Sequence, residues 1–183
     1  SASGQNGNIE VSEPEEFVVS TLEDENDGDF NDGDLSLREA IALANEQEGA
    51  DTITFDSALS GGTISLDSAL SNELTIGDSV SIKGLGQDNL TLDGDFVFKL
   101  PGFNAELNID GLNIVGGTVD SFGDLNISDT TISQSSTANV PSSSIVSRGT
   151  LNLSDSNVID SSPGGSLGIS IESGTADIVN STI

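Results

Sequence analysis

An apolar–polar–apolar triplet returns along the chain from residue 53 to its end, and this repeat restricts the possible folds more than any other feature. Ile53-Thr54-Phe55, Val80-Ser81-Ile82, Leu107-Asn108-Ile109, Leu125-Asn126-Ile127, Leu151-Asn152-Leu153 and Ala176-Asp177-Ile178 start 27, 27, 18, 26 and 25 residues apart. A second strand-like run follows each of them at 63–66, 90–92, 112–114, 130–132, 156–158 and 181–183. A third run lies at 74–76, 96–98, 145–147 and 169–171, with a weak copy near Val119. Alternation with period two is the strand signal, and its return at a fixed longer period is the mark of a solenoid. In-register glycines reinforce the reading, since Gly123-Asp-Leu-Asn-Ile, Gly149-Thr-Leu-Asn-Leu and Gly174-Thr-Ala-Asp-Ile are copies of one another.

A hairpin sandwich would need tight two-residue turns and antiparallel returns, which these spacings do not offer. The expectation is an all-β, right-handed parallel β-helix of about six turns of three strands. Each strand pairs with its equivalent one turn later, about 4.8 Å away. Strand alternation then points Leu107, Ile109, Leu125, Ile127, Leu151 and Leu153 inward and stacks Asn108, Asn126 and Asn152 outside. Thr130, Ser156 and Ser181 fall where Leu112 faces inward, which makes the second face less apolar.

One stretch reads differently. Ser36 with Glu39 three residues later is a capping box, and Leu37, Ala40, Ile41 and Ala44 recur at helical spacing. Asn45 and Gly49 are the expected stop, because both tolerate the left-handed backbone that closes a helix. A solenoid open at its first turn exposes its core and its strand edges, so this helix is expected to cap that end. The resulting division is a flexible leader over 1–16, a cap of strand, acidic loop and helix over 17–50, and the β-helix over 51–183. Phe17 to Leu22 supply the strand of the cap.

Four Lys and Arg stand against 31 Asp and Glu, a formal net charge of −27. That balance excludes nucleic acid and anionic membrane as partners. There is no Cys, and no apolar run approaches the ~20 residues of a membrane span. Acidity concentrates in 23–34, where Asp24, Asn26, Asp27, Asp29, Asn31, Asp32 and Asp34 offer the oxygen ligands and Gly bends that calcium favours. The loop is not an EF-hand, because taking Asp27, Asp29 and Asn31 as the first ligands puts Asp32 at the glycine position and Arg38 at that of the bidentate Glu. A solvated acidic turn is the competing reading.

Two other constellations bear on chemistry. Asp129, Asp155 and Asn180 fall at equivalent places in successive turns, where a carboxylate ladder could bind calcium or form an acid–base pair; the corner preference of Asp and Asn, which bond their own backbone, is the favoured explanation. With no His, and only Arg38, Lys83, Lys99 and Arg148 as basic groups, a polyanion-cleaving site is not expected. Arg38 is expected to face solvent or pair with an acid. The outward threonines Thr75, Thr91, Thr131 and Thr182 are not expected to share one face.

Leu35-Ser-Leu-Arg-Glu-Ala-Ile-Ala-Leu-Ala-Asn45, followed by Gly49-Ala-Asp-Thr-Ile-Thr-Phe55 and Gly62-Thr-Ile-Ser-Leu66, resembles the start of bacterial surface proteins that carry a Cys-Ser-Leu-Arg-Glu-Ala motif. Those proteins often hold polymorphic outer-membrane-protein repeats. Leu35 stands where the family has Cys, so no thiol role carries over. The resemblance implies a secreted, cell-surface β-helix with a structural or adhesive role, as a stalk, adhesin, S-layer or filament subunit. Its implied partners are cell-surface or extracellular-matrix components, including polysaccharide. The alternative is a non-catalytic part of a polysaccharide-active β-helix enzyme. The stop at Ile183, within a turn, is expected either to reflect a longer native chain or to permit head-to-tail self-association. In the second case the extended segment 1–22, with Ile9, Val11 and Phe17 to Leu22, would add to a neighbour's edge.

Overall fold

The computed structural model describes residues 13–31, 33–66, 68–133, 143–159 and 167–183. Asp32, Ile9, Val11 and most of the 1–16 leader therefore lie outside the described residues. The chain opens with β1 (Glu16–Val19) and helix α1 (Leu37–Glu46). Strands then follow in triples. These are β2 (Asp51–Phe55), β3 (Gly62–Ser65) and β4 (Glu73–Thr75), then β5 (Val80–Lys83), β6 (Leu90–Asp93) and β7 (Val97–Leu100). Next come β8 (Glu106–Asp110), β9 (Asn113–Val115) and β10 (Thr118–Ser121), then β11 (Asp124–Ser128), β12 (Thr131–Ser133) and β13 (Ser143–Ser147). Last are β14 (Thr150–Ser154), β15 (Asn157–Ile159), β16 (Leu167–Ile171) and β17 (Thr175–Val179).

Equivalent strands stack into three parallel sheets, so the fold is a mostly-β parallel solenoid with one helix. The first sheet has seven strands in the order β1-β2-β5-β8-β11-β14-β17, and the other two have five each. Leu107, Leu125 and Leu151 are register partners, as are Ile109, Ile127 and Leu153. All six are buried, each side chain contributing ~1.5–3 kcal/mol of transfer free energy. Their outward neighbours form an amide ladder: Asn126 Nδ2 donates to Asn108 Oδ1 at 2.7 Å, and Asn152 Nδ2 to Asn126 Oδ1 at 2.7 Å. The repeated asparagines thus bond turn to turn, the side-chain counterpart of the backbone ladder.

The polar second face has a physical reason. Asp129, Asp155 and Asn180 adopt φ of 43, 50 and 51°, the left-handed corner that Asp and Asn accept at low cost. The hydroxyl that follows each of them reaches back to the carbonyl two residues before it, Thr130 to Ser128 and Ser156 to Ser154 at 2.7 Å and Ser181 to Val179 at 2.8 Å. Each hydroxyl also receives an N–H from the preceding turn: Leu112 N to Thr130 Oγ1, Thr130 N to Ser156 Oγ and Ser156 N to Ser181 Oγ. These hydroxyls, buried at Thr130 and Ser156, therefore satisfy backbone groups that the sharp corner takes out of the sheet. The in-register glycines lie at another corner, where turns touch backbone to backbone. A Cβ on Gly149 would sit 2.4 Å from the Gly123 carbonyl oxygen, and one on Gly174 would sit 2.0 Å from that of Gly149.

Helix α1 starts at Ser36 with the complete capping box. Leu37, Ala40, Ile41 and Ala44 are buried in the core cluster, and the helix packs on β1, β2 and β4. Its end differs from expectation. Gln47 is the C-cap with extended backbone, while the Asn45 amide is fastened to the turn after β4, donating to Thr75 O at 2.8 Å and accepting from Gly77 N at 2.7 Å. Tertiary bonding outweighs the local capping preference there.

Two further expectations are corrected. Phe17 to Val19 are not free to add to another molecule, because β1 pairs in parallel with β2 of its own chain, Phe17 opposite Ile53. Glu15 is also engaged, its carbonyl accepting from Thr52 N at 2.8 Å and its N–H donating to Asp51 Oδ1 at 2.8 Å. The threonines do align: Thr91, Asn113, Thr131, Asn157 and Thr182 are successive partners in one column that begins at Thr63, and only Thr75 belongs to the third sheet. Loops of unequal length hid this register. The column is bonded internally, Asn113 Nδ2 donating to Thr91 Oγ1 at 3.1 Å and Asn157 Nδ2 to Thr131 Oγ1 at 3.5 Å, and Thr131 Oγ1 also donates to Gln87 Oε1 at 2.7 Å.

Candidate functional site

The acidic loop is organised around Glu39, which is fully buried. Its carboxylate accepts from the N–H groups of Asp27 at 3.1 Å, Gly28 at 3.0 Å and Ser36 at 3.2 Å, and lies 3.0 Å from the Ser36 hydroxyl. The capping glutamate thus pins the loop as well as the helix. Asp24 is held by Arg38 through a two-point ion pair at 2.9 and 2.8 Å, so Arg38 pairs with an acid. Asp27 and Asp29 cap the backbone two residues onward, Asp29 N donating to Asp27 Oδ1 at 2.8 Å and Asn31 N to Asp29 Oδ1 at 3.1 Å. Asn26 is exposed. Among the described residues no group of three or more carboxylates is placed to hold a metal ion. The crowding of negative charge is nevertheless real. Partial desolvation, then the charges of Asp34, Asp27, Glu39 and Glu23, raises the Glu25 pKa above its ordinary value. Desolvation, then Asp29, Asp27 and Glu39, does the same to Asp34.

The corner carboxylates Asp129 and Asp155 are exposed, and Asp129 Oδ1 accepts from Gln87 Nε2 at 3.0 Å. Their left-handed backbone accounts for residue type, and among the described residues the bond from Gln87 to Asp129 is a neutral amide contact, not an acid–base pair.

A different cluster emerges on the outer surface of the third sheet, made of β16-β13-β10-β7-β4. Lys99 Nζ donates to Glu73 Oε1 at 2.9 Å, and Lys99 is the register partner of Asp120 on the next strand. Asp120 pairs with Arg148, whose Nε also donates to Glu172 Oε2 at 2.8 Å. Charges of alternating sign thus climb the face beside a cavity of about 250 Å³ that they line with Val97 and Val146. Burial pulls the Arg148 pKa down, but the hydrogen bond and charge of Asp120, with Glu172, outweigh it and the net direction is upward. The guanidinium also lies 4.4 Å from the centre of the Phe122 ring, and Phe122 meets Phe103 edge to face at 5.3 Å. Phe103 is 72% exposed. Sequence reasoning missed this cluster. Its one signal is that Phe122 and Arg148 each directly precede an in-register glycine, Gly123 and Gly149.

A second groove, of about 520 Å³, lies beside β1 and is lined in part by Phe17, Val18, Phe30 and Leu43. Among the described residues no helix is long and apolar enough to cross a membrane.

The fold places the chain among the parallel β-solenoids. Comparison goes no further, since no family model, curated protein or solved structure matches the chain.

Proposed function

We propose that the chain is an extracellular structural or adhesive segment of a bacterial cell-surface protein. In this reading it is a right-handed β-helix of six turns, counting β17 and the Asn157–Thr182 bridge as the start of the sixth, with α1 as its N-terminal cap. The observation that carries it is the unbroken parallel stacking of the first sheet from β1 to β17, with helix α1 packed over β1, β2 and β4 at one end. Such a stack transmits register over its whole length and presents side chains at a constant spacing, which suits a stalk or binding scaffold. The likeness of Leu35 to Asn45 to the Cys-Ser-Leu-Arg-Glu-Ala surface proteins supports the same location. Antibody raised against the chain should label intact cells of the source bacterium; labelling seen only after permeabilisation would overturn the reading.

Two finer elements belong to this proposal. A calcium ion in the 23–34 loop would relieve the carboxylate crowding that raises Glu25 and Asp34. Calorimetric titration of chelator-treated protein tests it, and no heat at millimolar calcium rejects it. Head-to-tail association would bring the outer edge of β1, whose other edge is already paired with β2, against β17 of a second molecule. Sedimentation at rising concentration tests this, with a constant monomer as the negative result. The alternative, a non-catalytic part of a polysaccharide-active enzyme, is favoured only by the groove on the third sheet.

A further inference from the structure

We propose that the outer face of the third sheet, with the aromatic corner beside it, binds a neutral, extended carbohydrate chain. The inference rests on the adhesive reading and supplies its site and ligand class. Its first support is charge. Glu73 is paired with Lys99, and Asp120 and Glu172 share Arg148, so the groove carries charged groups whose partners are already in place. A charged ligand would have to displace those partners, and an anionic one would also approach a chain of net charge −27. Hydroxyl groups need neither. A carboxylate has further lone pairs and a guanidinium further N–H groups after one ion pair forms, so a sugar hydroxyl can donate to Asp120 or Glu172 and accept from Arg148 while the pairs stay closed.

The second support is the corner. Arg148 covers one face of Phe122, whereas Phe103 stands 72% exposed. Its open ring, linked to Arg148 through Phe122, is an apolar platform for the C–H face of a sugar ring next in line to the polar groups that fix orientation. The third support is direction. The charged residues come from strands β4, β7 and β10 and from the corners after β13 and β16, spaced at about 4.8 Å per turn. Donors and acceptors therefore run along the solenoid axis, which fits a linear chain. A cavity of about 250 Å³ can take a single sugar unit of it.

Calorimetric titration with cellohexaose, laminarihexaose, maltohexaose and polygalacturonate tests the proposal on the whole chain. At least one neutral oligosaccharide should bind, with an affinity little changed by salt, and polygalacturonate should not. Phe103→Ala and Glu172→Gln alter side chains that reach solvent and should each weaken binding about tenfold without changing the melting temperature. Absence of binding by every neutral oligosaccharide, preference for polygalacturonate, or unaltered affinity in both variants would overturn it. Failure here with positive surface labelling removes the sugar site and leaves the surface location standing. Sugar binding by a chain that labels only inside permeabilised cells does the reverse.

Discussion

Glu39→Ala removes one carboxylate and should loosen two elements at once. The Ser36 N–H, in a fully buried residue, loses its acceptor, and an orphaned buried donor costs about 1–3 kcal/mol. Asp27 and Gly28 are exposed, so water replaces part of what their N–H groups lose, and each adds about 0.5 kcal/mol. The new alanine has better helix propensity than glutamate, and relief of repulsion on Glu25 and Asp34 returns a little more. The balance is a loss of about 2–3 kcal/mol, or about 4–12 °C in Tm for a chain of this size. Melting followed by circular dichroism measures the total. Hydrogen exchange locates it, with protection lost first at Asp27, Gly28 and Ser36. Glu46→Ala, at an exposed position of the same helix, should change stability by less than about 0.5 kcal/mol. If Glu39→Ala matches Glu46→Ala, the buried hub is not what joins loop to helix.

Ile127→Asp buries an unpaired charge and should unfold the chain, whereas Asn126→Asp loses its amide donations to Asn108 and Glu106, sets a carboxylate beside Glu106, and should cost about 1–3 kcal/mol while the chain stays folded; urea titration of both checks the inside and outside assignment, which equal costs would refute. Gly149→Ala forces a Cβ against the Gly123 carbonyl and should destabilise well beyond Gly28→Ala, where nothing lies within 4 Å and only the φ of +82° is strained, at about 1–2 kcal/mol. The reverse ranking by thermal melting would contradict the backbone-to-backbone contact. Glu25 and Asp34 have folded-state pKa values above their unfolded ones, so their ionisation works against folding above the folded pKa and has no effect below the unfolded pKa. Glu25→Gln and Asp34→Asn should therefore raise Tm at neutral pH, with the gain vanishing as pH falls through the carboxylate range. A gain independent of pH would show that charge crowding is not its source.

Much of the scaffold was legible because its signals are local. Leu125-Asn126-Ile127 states strand, facing and repeat in three residues, and the capping box of Ser36 and Glu39 announces the helix start without tertiary help. Contacts set by loop length were not legible. Arg148 meets Asp120 and Glu172, 28 and 24 residues away, only because turns of unequal length bring them to one face. The same inequality concealed the column from Thr63 to Thr182. Asn45 shows a third kind of failure. Its residue type favours ending a helix, but its amide has partners 30 and 32 residues away. The acidic loop is intermediate, since composition marks its charge and only the fold reveals that Glu39 and Arg38 bind it.

The central claim is that residues one repeat apart in sequence are one strand apart in space, and it can be tested by covalent bridging in a chain that has no cysteine of its own. Asn126 and Asn152 are register partners on the outer face of the first sheet, while Ser154 pairs with Ser128. Adjacent strands place Cα atoms about 4.8 Å apart, within disulfide range, and a shift of two residues moves them beyond about 7 Å. Under mild oxidation the double variant Asn126→Cys with Asn152→Cys should form an intramolecular disulfide in the folded chain, and Asn126→Cys with Ser154→Cys should not. Bridging by the second pair in preference to the first would contradict the register on which the solenoid and the proposed binding face depend.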